Sequence, residues 1–151
     1  MGGGSVAALS AALAAALLQK LTTHSQTAAR LRRIRRECLG LIQRDAAAFS
    51  RVISATRHED RRAFRRTLRA AIEIPCRVYE HAQTVNAACR SERRFVKPRF
   101  QSDLKCAQAL AEAAAQSARA LIATNLAWLG DRTYTKQVHR RVRRVARTHV
   151  P

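Results

Sequence analysis

The sequence predicts an all-α fold, an antiparallel bundle of five to six helices. Apolar residues recur every three or four positions along nearly the whole chain of 151 residues, which is the period of an α-helix. Hydrophobic residues make up 47% of the chain but aromatic residues only 5%, so the core must consist largely of alanine and aliphatic side chains. Five glycines and three prolines offer too few turns for an all-β fold. No change in composition marks a boundary, and residues 1–151 are therefore expected to form a single domain.

Two helices are predicted in the first 55 residues. Ser5 is expected to cap a helix from about Val6 to Leu21, whose nearly all-apolar surface implies burial on most sides. The second helix runs from about Gln26 to Ala55, and a carboxylate at Asp45 interrupts its apolar stripe. A buried carboxylate requires a partner, so we expect an ion pair between Asp45 and an arginine unless Asp45 belongs to a site. The predicted inward residues are Leu31, Ile34, Cys38, Leu41, Asp45, Phe49 and Val52.

A third helical segment is predicted from about Glu59 to Ser91. Pro75 lies inside it, and proline removes a backbone donor and clashes with the preceding turn. We therefore expect a kink, or a break into two helices, near Ile74. The predicted inward residues are Phe64, Leu68, Ile72, Val78, Ala82, Val85 and Cys89.

Residues 92–101 are predicted to form a loop before a fourth helix, which is capped by Ser102 and stopped by Gly130. Asp103 follows the cap directly, where a negative charge favours a helix start for structural reasons alone. Asp131 is expected to cap a last helix that is densely basic on one side. The inward residues are predicted as Asp103, Ala107, Leu110, Ala114, Ser117, Leu121 and Trp128, and then as Tyr134, Val138, Val142 and Val145.

The formal net charge of +19 is compatible with nucleic acid or another acidic partner. The basic residues are mostly interleaved with apolar ones at helical spacing, as in RLRRIRRE and HRRVRRVAR, which favours a solvated basic surface. A non-catalytic basic helical bundle that binds nucleic acid or an acidic protein is the alternative function.

The cysteines and histidines predict neither disulfides nor a metal site. The four cysteines form no CxxC pair and lie in or beside apolar stretches, so we expect reduced core residues and a cytoplasmic location. The histidines lack the spacing of a ligand set. The apolar run 6–18 is shorter than the roughly 20 residues that span a bilayer, and no Lys or Arg precedes it as in a signal peptide.

Five segments together indicate a family. In chain order they are GGGSVAALSAAL, DAAAF, AIEIPCRVYEHA, SDLKCAQALAEAA and IATNLAWLGD. This order resembles the cyclodeaminase domain of formiminotransferase-cyclodeaminase and the bacterial stand-alone methenyltetrahydrofolate cyclohydrolases of the same family. Family members carry a further helix before the glycines, so the resemblance implies either that the protein lacks the family's N-terminal helix or that its true start lies upstream of Met1.

The resemblance implies an all-α homodimer that binds a reduced folate, possibly one with a polyglutamate tail, and needs no cofactor beyond that tetrahydrofolate substrate. Members convert 5-formiminotetrahydrofolate to the 5,10-methenyl form with release of ammonia, or hydrolyse the methenyl form to 10-formyltetrahydrofolate. The family's catalytic aspartate maps to Asp103. A carboxylate in a partly buried site suits proton transfer. The implied substrate-binding residues are Gly2, Gly3, Gly4, Ser5 and Ser102, with Asp45, Lys20 and Asn125 as further candidates.

Overall fold

The computed structural model describes residues 2–148, which contain five α-helices and no strand. Helices α1 to α4 pack side by side, and α5 packs against α3. This architecture confirms the predicted all-α bundle. The helices are α1 Gly3–Leu21, α2 Ser25–Arg57, α3 Arg61–Glu92, α4 Gln101–Leu129 and α5 Arg132–Thr148, with a 3-10 turn at Pro98–Phe100 before α4.

Helix α1 is the central element, because it packs against α2, α3 and α4. Small side chains on α1 let these neighbours approach closely, and six of its seven alanines are buried. One face remains open to solvent, where Val6 and Leu13 are half exposed. Within residues 2–148, α1 alone is long and apolar enough to cross a bilayer, but half of its most apolar window is buried in the bundle.

The inward stripes of α2 and α3 are largely as predicted. Most of their residues are buried, but Phe49 is 60% exposed and does not belong to the core. Helix α3 continues without interruption through Pro75, so it does not break into two helices. An interior proline costs about 3 kcal/mol, and the buried residues on both sides of it, including Ile72 and Val78, hold the helix against the core.

Helix α4 departs from the sequence prediction in its start and in its buried face. The 3-10 turn leads directly into the helix, so Phe100 is the N-cap and the exposed Ser102 caps nothing. Ser117 and Trp128 are exposed, because the buried face is rotated by about one residue from the predicted stripe. The face that packs on α1 and α3 consists of Leu104, Ala107, Ala111, Ala114, Ala115, Ala118, Ile122, Leu126 and Leu129.

The α4–α5 junction is as predicted. Gly130 has a φ of 65°, the left-handed conformation that ends many helices. The Oδ1 atom of Asp131 accepts hydrogen bonds of 3.1 Å from the backbone amides of Thr133 and Tyr134. Its Oδ2 atom accepts from Arg69 and, at 3.3 Å, from Arg65. Asp131 therefore ties the start of α5 to α3.

Replacing Asp131 with asparagine is expected to lower the melting temperature at neutral pH, because asparagine keeps the cap but loses both ion pairs. The Tyr134 amide and Arg69 lower the pKa of Asp131 to about 2. A lowered pKa stabilises the fold above the unfolded-state pKa of about 3.9, and this contribution disappears as the pH falls through 2. Melts of both proteins from pH 7 downward should converge in acid, and a constant difference would contradict the assignment.

Three of the four cysteines are core residues, as predicted. Cys38, Cys76 and Cys89 are buried, and burial raises the pKa of each thiol to about 12. Cys106 is exposed, because it lies on the outward side of α4 next to Lys105. All four thiols are free.

Candidate functional site

The glycine-rich start of α1 opens onto a cleft of about 610 Å³ at one end of the bundle. All four long helices contribute to the cleft, which has the size of a small-molecule site. Asp45, Ser50 and Asn125 are its polar members beside the glycines. The lining residues are Gly2, Gly3, Gly4, Asp45, Ala46, Phe49, Ser50, Val52, Leu68, Ala71, Leu121, Asn125 and Trp128.

Asp45 lies directly over the first turn of α1. The Ser5 hydroxyl donates to Asp45 Oδ2 at 2.9 Å and also approaches the Ile42 carbonyl at 3.3 Å. Ser5 is buried inside the helix, and Gly2 occupies the N-cap position that the sequence assigned to Ser5. The prediction of an arginine partner is also wrong, since Asp45 forms no ion pair within the described residues 2–148. The partner of Asp45 is the Ser5 hydroxyl instead.

Gly4 makes this close approach possible. A Cβ atom at Gly4 would lie 2.1 Å from Asp45 Oδ1 and 2.6 Å from the carboxyl carbon, far inside van der Waals contact. The carboxylate therefore occupies the space of the missing side chain. The first amides of a helix have no partner within the helix and carry partial positive charge, so this position favours an anion.

Two aromatic side chains form an apolar wall of the cleft. Phe49 is 60% and Trp128 is 44% exposed, although the sequence analysis assigned both to the core. Trp128 is held by an edge-on contact with Phe64, with ring centroids 5.2 Å apart. Exposed rings beside a carboxylate and an amide provide flat apolar surface together with hydrogen-bonding groups.

The structure brings six of the nine predicted site residues to this cleft and leaves three elsewhere. The six residues at the cleft are Gly2, Gly3, Gly4, Ser5, Asp45 and Asn125. Lys20 is exposed in the last turn of α1, and Ser102 and Asp103 lie in the first turn of α4. At 1.5 Å per residue, Asp103 is about 33 Å along α4 from Asn125. Within one chain, Asp45 and Asp103 therefore cannot act on the same atom.

A fully buried carboxylate, Glu92, was missed by the sequence analysis and joins helices at the opposite end of the bundle. Glu92 is 4% exposed and accepts a hydrogen bond of 2.7 Å from Thr22, while His24 Nδ1 lies 3.0 Å from both of its oxygens. Burial raises the pKa of Glu92, but these hydrogen bonds outweigh that effect and keep the pKa below its ordinary value. No periodic pattern signals this contact, because Glu92 lies among arginines at a helix end.

Histidine, cysteine and acidic side chains do not gather at the cleft. Across residues 2–148, no group of three such side chains is placed to hold a metal ion. His81 is instead paired with Glu37, whose Oε2 lies 3.0 Å from His81 Nε2. The chemistry available at the cleft is that of a carboxylate, an amide, a serine hydroxyl, a helix N-terminus and two aromatic rings.

Comparison with known proteins agrees with this architecture. A family model described as formiminotransferase-cyclodeaminase matches residues 1–144. A solved structure of formiminotetrahydrofolate cyclodeaminase from Thermotoga maritima superposes with a TM-score of 0.82 at 21% sequence identity, covering 96% of this chain and 80% of that chain. A search of curated proteins finds no match. Because the family model spans nearly the whole chain, the protein belongs to the formiminotransferase-cyclodeaminase family.

Proposed function

We propose that this protein binds a reduced folate in the α1 cleft and acts as a methenyltetrahydrofolate cyclohydrolase or a formiminotetrahydrofolate cyclodeaminase. Membership of the family supports a role in folate one-carbon chemistry. The observation that carries the proposal is the placement of Asp45, a carboxylate held at a helix N-terminus inside an aromatic-walled cleft.

The cleft suits the pterin ring of a folate. A pterin is flat, so Phe49 and Trp128 offer it stacking surface. Its edge carries amide-like donors and acceptors that match the Asn125 side chain, which both donates and accepts. Burial of the flat ring would supply affinity for the folate, and hydrogen bonds to its polar edge would fix its orientation.

Asp45 is the group that we assign to proton transfer. In hydrolysis, a water oxygen bonds to the methenyl carbon as one water proton passes to the carboxylate. The carbon–N5 bond then breaks as N5 takes up a proton, and the remaining hydroxyl proton is lost as the carbonyl of the formyl group forms. In cyclodeamination, N10 bonds to the formimino carbon, loses its proton, and the amino nitrogen leaves as ammonia after protonation. Either sequence needs one group that accepts and returns a proton, and neither changes an oxidation state.

Asp103 remains a prediction from the family resemblance, and its position sets a condition on that role. Asp103 would reach a folate in the α1 cleft only from a second copy of the chain, since the cleft of the same chain lies at the other end of α4. The homodimer that the resemblance implies would supply that copy. Asp45 and Asp103 are therefore two distinguishable candidates for proton transfer.

The proposal predicts both binding and turnover. Trp128 is the only tryptophan of the chain and lines the cleft, so a reduced folate should change the intrinsic fluorescence in a saturable manner. The protein should also accelerate the loss of near-ultraviolet absorbance of 5,10-methenyltetrahydrofolate, or release ammonia from 5-formiminotetrahydrofolate. Saturable binding without turnover of either substrate would refute the catalytic part of the proposal, and a lack of both binding and turnover would refute it entirely.

A further inference from the structure

Helix α5 has one continuous basic face that the folate chemistry does not use. Successive residues of a helix step by about 100°, which places the outward basic side chains of α5 within one arc of about 140°. Thr133 is the only other residue in that arc. All members of this basic face are exposed, and they are Arg132, Lys136, His139, Arg140, Arg143, Arg144 and Arg147.

The acidic residues near α5 are engaged on its other side. Arg141 points inward and forms bonds of 2.6 Å with both Glu73 and Glu80 of α3. The Tyr134 hydroxyl donates to Glu73 at 3.0 Å. Helix α5 itself contains no acidic residue. Among the ion pairs of residues 2–148, none joins a carboxylate to the basic face of α5.

An arginine cluster between α2 and α3 is less one-sided. Arg33, Arg36, Arg44 and Arg77 line a groove between α2 and α3, but Glu37 lies in the same groove. Glu37 pairs with His81 at 3.0 Å and with Arg33 at 3.6 Å. This groove already contains part of its own counter-charge, and the basic face of α5 does not.

From these observations we propose that the basic face of α5 binds duplex DNA through its phosphate backbone, independently of base sequence. Arginine forks bind phosphate oxygens in pairs, which suits a face that is rich in arginine. A helix of 17 residues is about 26 Å long and 10–12 Å wide, and the major groove is about 12 Å wide.

The same face fits other polyanions less well. It carries no apolar side chain that would enter the boundary of a lipid bilayer. Its one ring is the imidazole of His139, and it carries no phenylalanine, tyrosine or tryptophan on which the bases of a single strand would stack. A basic face that lacks both apolar and large aromatic side chains is best suited to the regular, closely spaced phosphates of a duplex.

The test measures the anisotropy of a labelled, mixed-sequence duplex DNA titrated with the full chain at several salt concentrations. One variant carries R132Q, R143Q and R147Q on the basic face. A matched control, R30Q with R62Q and R66Q, removes the same charge from exposed positions of α2 and α3. Glutamine keeps helix propensity close to that of arginine, and circular dichroism melts verify that both variants fold.

The α5 variant is expected to bind about tenfold more weakly at low salt, and the slope of log affinity against log salt should fall by about 2 to 3. The control should stay within about twofold of the parent protein. Equal losses in both variants would overturn the proposal, because overall charge would then explain binding. Absence of binding by the parent protein, equal affinity for a single strand of the same length, or tighter binding to phosphatidylserine vesicles would overturn it as well.

Discussion

Replacement of Asp45 by asparagine is expected to reduce turnover of methenyltetrahydrofolate by about a hundredfold to ten-thousandfold, the usual contribution of a positioned acid–base group. Asparagine has nearly the same shape, and its amide oxygen can still accept the bond from Ser5. It cannot take up and return a proton. The loss should therefore appear in the rate measured by near-ultraviolet absorbance, while the fluorescence of Trp128 still reports folate binding.

The Asp103→Asn variant is the matched comparison, since it makes the same chemical change at the other candidate. If Asp103→Asn loses turnover and Asp45→Asn does not, the assignment of Asp45 is wrong. If both lose turnover, mixing the two inactive proteins decides how the site is built. Sites shared between two copies would regain about a quarter of the activity, because random pairing restores one intact site in half of the dimers. Sites within one chain would regain none.

The helical architecture could be predicted because each helix buries a stripe over most of its length. The end of α4 at Gly130 and the cap of α5 at Asp131 were also predictable, since both depend on local backbone chemistry. Periodicity indicates which face of a helix turns inward, but it does not show whether a neighbouring helix covers that face along its whole length. Phe49 and Trp128 lie where the bundle opens, and so they line a cleft.

The site was harder to predict than the fold because its key contact joins residues far apart in the chain. The pairing of Ser5 with Asp45 spans 40 positions, and nothing in either local sequence indicates it. The glycines were assigned to substrate binding, but the group that lies against Gly4 is a side chain of α2. On α4, treating Asp103 as an inward residue displaced the predicted stripe by one position from Leu104.

A methyl group at Gly4 is expected to lower kcat/KM by about a hundredfold, the scale on which small displacements of a catalytic group act. In Gly4→Ala the new Cβ would overlap the Asp45 carboxyl, which would have to rotate away from Ser5 and the α1 N-terminus. The Asp45 carboxyl is the free end of a side chain, so it can rotate away at little cost to the stability of the fold. The melting temperature should therefore change far less than the activity.

Gly40→Ala provides the control for adding a methyl group to a helical glycine. Gly40 is exposed in the middle of α2, and a Cβ atom there would meet nothing within 4 Å. This variant should gain about 0.5–1 kcal/mol of stability, the usual benefit of replacing an unconstrained helical glycine. Its activity should equal that of the parent protein.

A double-mutant comparison separates displacement of Asp45 from other effects of the Gly4 methyl group. If Gly4→Ala acts through the Asp45 carboxyl, adding it to Asp45→Asn should lower kcat/KM little further, because the proton-transfer group is already absent. A full additional loss would mean that the methyl group blocks the folate itself. Unchanged activity in Gly4→Ala alone would show that catalysis does not need the carboxylate in the position over α1.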